Sequence, residues 1–298
     1  MRVFVTGATG FVGSAVTREL LGAGHEVVGL ARSDRSVRAL KAMGAQAHLG
    51  DLTDLDSLRR GAEAADGVAH LAFIHDFGNL TASGEADLRA IEAIGEVLEG
   101  TGKPLVVTSG LLTAPGRVGT EEDPADPDSP GRHRLASETA TLALAERGVS
   151  SSVLRLPPSV HGEGDAGFVP MFIDLARDKG VSAMVGDGSN RWAAVHRLDA
   201  ARLFRLALEA APAGVRLHAI GDEEVPFREI AGAIGRGLDV PIVSVAPEEA
   251  TDHFGWLGHF AAVDMRASAV LTGKLLGWRP EHPALLPDLE AGHYFRTA

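Results

Sequence analysis

Residues 3–13, VFVTGATGFVG, constrain the fold more than any other stretch of this chain. A short apolar run is followed by Gly7, Gly10 and Gly13, three apart, and then by the start of a helical pattern. In a strand–turn–helix unit these glycines have separate tasks. Gly7 allows the tight turn, Gly10 lets the backbone approach a pyrophosphate, and Gly13 lets the helix lie close to the strand. The helix N-terminus then offers unpaired N–H groups and partial positive charge to the phosphates. The spacing alone would also suit a plain turn. The context selects the cradle, because the unit heads a repeated pattern.

Apolar runs at 3–5, 27–30, 45–49, 68–71, 105–107 and 152–156 alternate with helical segments at 12–21, 36–43, 55–61, 85–98 and 135–147. Strands apolar on both faces with helices between them predict a parallel sheet covered on both sides. The expected fold class is α/β, a Rossmann-type doubly wound sheet with a smaller C-terminal substrate-binding domain. The acidic, proline-rich stretch 120–133 is expected as a surface loop at the rim of a site. After Pro157 the rhythm changes. A glycine-rich loop at 161–168 precedes a helix over 170–178 opened by Pro170. A turn, strand and helix start fill 186–199. Further helices are expected at 200–211, 227–238 and 265–276, and a strand at 216–220. Residues 1–156 are expected to form the nucleotide-binding domain. Residues 157–298 are mainly substrate-binding, interleaved with the end of the sheet.

The 298 residues suffice for one large core with a smaller attachment. A formal net charge of -12 argues against nucleic acid as a partner of the surface as a whole. Absence of cysteine excludes disulfides and thiolate chemistry and fits a cytoplasmic setting. Residues 1–5 run straight into the glycine turn, so no signal peptide is expected. No apolar stretch reaches the ~18 residues of a membrane span. The expected partners are a small-molecule substrate and at most a second copy, giving a monomer or homodimer. The twelve histidines are scattered, and no metal site is expected.

TGATGFVG (6–13), GDLTD (50–54), HLAF (70–73), RLPPSVHGEG (155–164) and GDGSNRWAAVHRLDAARL (186–203) occur in one order along nearly the whole chain. In these motifs the chain resembles the extended or atypical branch of the short-chain dehydrogenase/reductase superfamily. The resemblance implies a nicotinamide dinucleotide. Gly7, Thr9, Gly10, Phe11, Val12 and Gly13 would cradle it, and Asp51 and Leu52 would flank the adenine. Leu71, Ala72 and Phe73 would lie by the ribose and Pro157, Ser159 and Val160 by the nicotinamide, and Thr108 on the fifth strand would also touch the cofactor. The second strand ends without the usual acid: Ala31 stands there, followed by Arg32, Ser33 and Arg35. A guanidinium and a hydroxyl suit a 2′-phosphate, which favours NADP(H) over NAD(H). Otherwise Ser33 or Asp34 only caps the next helix.

The superfamily's usual proton donor is the tyrosine of a Tyr-x-x-x-Lys pair. Here the only tyrosine is Tyr294, with no lysine after it. The corresponding helix carries Arg134 where the tyrosine belongs and Glu138 where the lysine belongs. The nearby serine position falls on Gly110, or on Ser109 after a one-residue slip. Histidine is the natural substitute donor near neutral pH. His161, in the segment expected at the nicotinamide, is the first candidate, and His196, on the substrate side, the second. His75 and Asp76 follow HLAF and could reach the pocket. His161 could instead fix its loop, His196 could simply bond Asp199, and Arg134 could pair with Glu138 or bind an anionic or carbonyl group. Trp192, Phe73, Phe77 and Phe168 read as pocket walls or core. The expected function is an NADP(H)-dependent oxidoreductase acting on a small carbonyl or imine-like substrate. The alternatives are a nucleotide-sugar epimerase or dehydratase, and a non-catalytic NADP-binding redox sensor.

Overall fold

The computed structural model describes residues 1–76 and 78–296; Phe77, expected as a pocket wall, lies outside the described residues. The strands are β1 (Arg2–Thr6), β2 (Glu26–Ala31), β3 (Gln46–Leu49), β4 (Gly67–His70), β5 (Pro104–Gly110), β6 (Ser150–Leu156), β7 (Ser159–His161), β8 (Ser182–Val185), β9 (Arg191–His196), β10 (Val215–His218), β11 (Asp222–Pro226) and β12 (Ile242–Val245). The main sheet has the order β10-β6-β5-β4-β1-β2-β3, all parallel. The order reverses between β1 and β4, and the carboxyl ends of the strands at such a switch point are where doubly wound sheets bind ligands. A three-stranded sheet, β11-β9-β7, and the pair β12-β8 lie outside it.

Period-two alternation on buried strands supplies two cores. The larger helices are α1 (Phe11–Gly22), α2 (Asp34–Met43), α3 (Leu55–Glu63), α4 (Leu80–Leu98), α5 (Leu135–Ala143), α6 (Phe168–Lys179), α7 (Arg197–Ala210) and α8 (Phe227–Leu238). Val3 and Val5 of β1 face Val16 and Leu20 of α1 and Leu203 and Phe204 of α7. Phe4, between them, faces Leu58 of α3 and Ile91 and Ile94 of α4. Burying one such side chain stabilises by about 1.5–3 kcal/mol. A third core joins Phe172 of α6, Trp192 of β9 and Phe227 of α8.

The six apolar runs become strands of the main sheet, and β9 and β10 overlap the strands expected at 186–199 and 216–220, whereas β7, β8, β11 and β12 have no expected counterpart; several helix bounds move for identifiable reasons. α4 begins at Leu80, because the Asn79 side chain accepts the Ala82 N–H and caps it. α6 begins at Phe168, so Pro170 is its third residue rather than its first. The expected helix over 265–276 is shortened to Val270–Leu276. Met265 instead bridges to Trp192 and Ala267 to Gly119, so this stretch runs extended beside β9. The segment after residue 156 does not stay apart: α7 packs on α1, and β10 adds to the main sheet beside β6. Among the described residues no helix is long and apolar enough to cross a membrane.

Candidate functional site

β1 runs into the glycine turn at the switch point. Gly7 has φ +67, and a Cβ there would meet the Ala72 nitrogen at 2.8 Å. A Cβ on Gly13 would lie 2.0 Å from the Gly7 carbonyl oxygen, so this glycine sets how closely α1 lies on the turn. Gly10 differs: a Cβ there would meet only the Gly7 oxygen, at 3.2 Å, and the rest of its surroundings are open. α1 starts after Gly10 with no side chain capping it. Thr9 is exposed, and Phe11 and Val12 are half-buried at the mouth. The open glycine and uncapped helix fit the pyrophosphate of a dinucleotide. The Thr6 hydroxyl accepts the N–H groups of Leu71 and Ala72, which ties the end of β4 to the turn.

At the adenosine end Ala31 closes β2, and Arg32 and Arg35 are exposed. Ser33 is the cap of α2, accepting the Ser36 N–H and closing a capping box. The backbone N–H and hydroxyl of Thr53 hold the Asp51 carboxyl below its usual pKa, with a smaller pull from Arg32. Leu52 is buried beside it.

The chemistry-bearing end is organised by Arg134, just ahead of α5. Its guanidinium lies 3.6 Å over the Phe73 ring. It donates to Asp87 Oδ2 and to the Thr108 carbonyl, both at 3.2 Å. Asp87, wholly buried on α4, also pairs with His70 Nε2 at 3.2 Å, and His70 Nδ1 lies 3.0 Å from the Thr6 hydroxyl. Thr6 already accepts two backbone N–H groups, so its hydroxyl proton goes to Nδ1. His70 is therefore the Nε2–H tautomer, donating to Asp87. Burial pushes the Asp87 carboxyl up, but the Arg134 charge and the His70 bond outweigh it and hold the group below its usual value. The chain Thr6–His70–Asp87–Arg134 thus links the glycine turn to a largely buried cation. Thr108 spends its hydroxyl on the His70 carbonyl, while Ser109, on the opposite face of β5, is buried with its hydroxyl unpartnered among the described residues.

His75 and His133 flank the same Phe73 ring, with centroids 5.3 and 5.6 Å away. Burial, reinforced by the Arg134 charge, drives His133 down to about 4 and lowers His75 as well. His133 is therefore neutral at pH 7. Glu138 does not pair with Arg134. It lies buried against Arg155, at 2.6 and 3.0 Å, and Arg216, at 2.8 Å, on the other side of α5.

The histidine candidates are placed differently from expectation. His161 is completely buried, its Nδ1 2.9 Å from Asp288 Oδ2 on the short helix Leu285–Glu290. It shows no surface in this structure, and its Nε2 has no hydrogen-bond partner among the described residues. His196 is half-buried, and its Nδ1 accepts the Leu198 N–H, capping α7. Burial drives it down to about 4. Its expected bond to Asp199 belongs to His282 instead, at 3.0 Å. His196, Asp199 and His282 do gather, contrary to the scatter of histidines in the sequence. The two imidazoles are stacked in parallel, 10° between planes, so their lone pairs run side by side rather than converging on an ion. Asp199 is already occupied by the N–H groups of Glu281 and His282. Tyr294 is remote from α5, donating to Asp165 and accepting from the Gly162 N–H.

Pro157 and Ser159 are buried, and Val160 packs into the core shared by α1 and α7. Trp192 is core, whereas Phe168 is partly buried against it and against Phe260. The sequence reading missed Thr6, His70 and Asp87 as a unit. A signal was present: Asp87 is a lone acid among Ala86, Ala90, Ile91 and Ile94 on the apolar side of α4, and a buried carboxylate demands a partner.

The fold is shared with a dTDP-glucose 4,6-dehydratase from Streptomyces venezuelae, solved with NAD bound. The TM-score is 0.79 at 22% identity, covering 99% of this chain and 96% of that one. In sequence the chain is 51% identical to an uncharacterised protein of Schizosaccharomyces pombe, over 99% of this chain and 100% of the other. It is 28% identical to a 2-alkyl-3-oxoalkanoate reductase of Stenotrophomonas maltophilia, over 83% of this chain and 78% of that one. The model of the NAD-dependent epimerase/dehydratase family matches residues 3–220, which include the glycine turn, the switch point and the Arg134 cluster, and the chain belongs to that family.

Proposed function

We propose that the protein is an NADP(H)-dependent reductase of a small carbonyl or imine-like substrate, in which Arg134 takes over the polarising task of the missing tyrosine. The observation that carries this reading is the Arg134 guanidinium, stacked on Phe73 and held by Asp87 and the Thr108 carbonyl, with its side chain still 11% exposed. When bound, the dinucleotide supplies the hydride. The residues that would hold it are Gly7, Thr9, Gly10, Phe11, Val12 and Gly13 at the pyrophosphate, with Leu71, Ala72 and Phe73 at the ribose. Arg134 stabilises the negative charge that develops on the substrate oxygen, as a preorganised cation does in a water-poor site. Guanidinium does not give up its proton at physiological pH. The product proton therefore comes from water or from a substrate that is already a protonated iminium, while neutral His133 stands by as an imidazole hydrogen-bond partner.

A relative named as an oxoalkanoate reductase supports reduction over epimerisation. The NADP preference rests on Arg32, exposed and adjacent to the end of β2, with Arg35 on the next turn; Ser33 is committed to its cap. Purified protein is to be assayed for NADPH oxidation against a panel of aldehydes, ketones and cyclic imines, and turnover that disappears in Arg134→Met supports the reading. No turnover with any of them would return the protein to the redox-sensor alternative. Arg32→Ala should weaken NADPH by ~10–100-fold, the worth of one charge-assisted bond, and leave NADH unchanged. Equal weakening of both cofactors would place Arg32 elsewhere.

A further inference from the structure

We propose that Arg197 is a diphosphate ligand that closes over the dinucleotide from the α7 side. This rests on the cofactor reading above and adds to it a residue outside the glycine turn. Arg197 is the first residue of α7, and its guanidinium carbon lies 5.0 Å over the ring of Phe11, the first residue of α1. α1 and α7 pack together and both begin at this edge, so two helix N-termini meet where the arginine sits. A cation at a helix N-terminus is opposed by the helix dipole, and here it lies beside two. It has no counter-ion to compensate. Among the described residues Arg197 makes no ion pair or hydrogen bond, and its buried Nε is left without a partner. The comparison with other partly buried arginines is sharp: Arg134 is paired with Asp87, Arg202 with Glu281 and Arg205 with Glu19. Glycines of the neighbouring loop lie against the side chain. A Cβ on Gly164 would come 3.9 Å from its Nη1, and one on Gly162 would come 3.4 Å from its Cγ. Burial keeps His196, the adjacent cap, neutral. Two helix ends, an orphaned guanidinium over Phe11 and the open Gly10 next to it form a positive lining for an anion with more than one phosphate.

Binding is measured by calorimetry on the full chain, with three probes: NADPH, 2′-phospho-ADP-ribose, which keeps the diphosphate, and adenosine 2′-phosphate, which lacks it. Arg197→Met should weaken the first two by ~10–100-fold and leave the third unchanged, with a shallower salt dependence. Arg197→Lys, which restores charge without the planar fork, should recover part of the loss and guards against a folding artefact. Unchanged NADPH affinity in Arg197→Met overturns the assignment. So does an equal loss for all three probes, which would mark a structural role. Unchanged NADPH affinity with a raised KM for a phosphorylated substrate also overturns it, by moving the residue to the substrate. A parent chain that binds no nicotinamide dinucleotide overturns the cofactor reading and this one together, whereas a parent that binds and a variant that binds equally well overturn this one alone.

Discussion

Around Phe73 a guanidinium, two imidazoles and a carboxylate meet at the carboxyl ends of β4 and β5. Around His161 two imidazoles, a phenol and two carboxylates meet beneath the helix Leu285–Glu290. The two clusters draw on similar side chains, and their surroundings differ. In the first, the buried partners Asp87 and His70 hold a cation whose side chain keeps 11% of its surface exposed. In the second, His161 and Asp288 face each other inside the protein, and Tyr294 closes on Asp165 and Gly162. A polar network with a partly exposed cation can act on a ligand, whereas the His161 network lies inside the protein and leaves His161 Nε2 without a partner among the described residues. Residue type alone does not tell the two apart.

The contrast breaks or holds first at Arg134. Arg134→Met should lower kcat/KM by ~10²–10³-fold, the usual cost of removing one preorganised donor, with NADPH affinity retained. Arg134→Lys should recover little, because a compact ammonium cannot stack flat on the Phe73 ring while bonding Asp87 and the Thr108 carbonyl. A loss no larger than that from His161→Phe would erase the distinction between the clusters.

Next in size is the group behind the cation. Asp87→Asn keeps the shape of the contact and removes the charge that fixes the guanidinium. Slight misplacement of a catalytic group can cost on the order of 10²-fold, so kcat should fall by ~10–100-fold while KM changes little. An equal fall in thermal stability with unaltered kcat would show Asp87 to be structural only.

The closed cluster should respond in the opposite way. His161→Phe preserves ring volume and leaves the Asp288 carboxylate buried without its partner, which costs ~1–3 kcal/mol of unfolding free energy. Denaturant unfolding should show that loss, and turnover per folded molecule should stay at the parental level. A collapse of turnover in a stably folded variant would return His161 to the reaction.

The smallest effect is a pH dependence. Burial raises the Asp165 carboxyl from 3.8 to about 6. Between those values the unfolded chain releases this proton and the folded chain keeps it, so the folded state binds more protons and its stability falls as pH rises through the window. Melting temperatures of the parent and Asp165→Asn should diverge across it, the parent losing ground to the variant as pH rises. Parallel curves would mean that Asp165 ionises as freely in the fold as outside it.

The sequence by itself determined the parallel sheet, the glycine cradle and the loss of the usual acid. These follow from local rules: a run apolar on both faces must be covered twice, Gly7 must take a positive φ, and a chain whose only tyrosine is Tyr294 has none in α5. Tertiary structure decided which polar residues matter. Arg134 and Glu138, one turn apart on paper, separate because Asp87 of α4 captures one and Arg155 of β6 the other. His161 turns inward because its strand faces a helix more than a hundred residues further on. Arg197 reaches the cradle only because α7 packs beside α1. Electrostatic partnership and burial depend on distances between segments far apart in the chain, and residue spacing does not encode those distances.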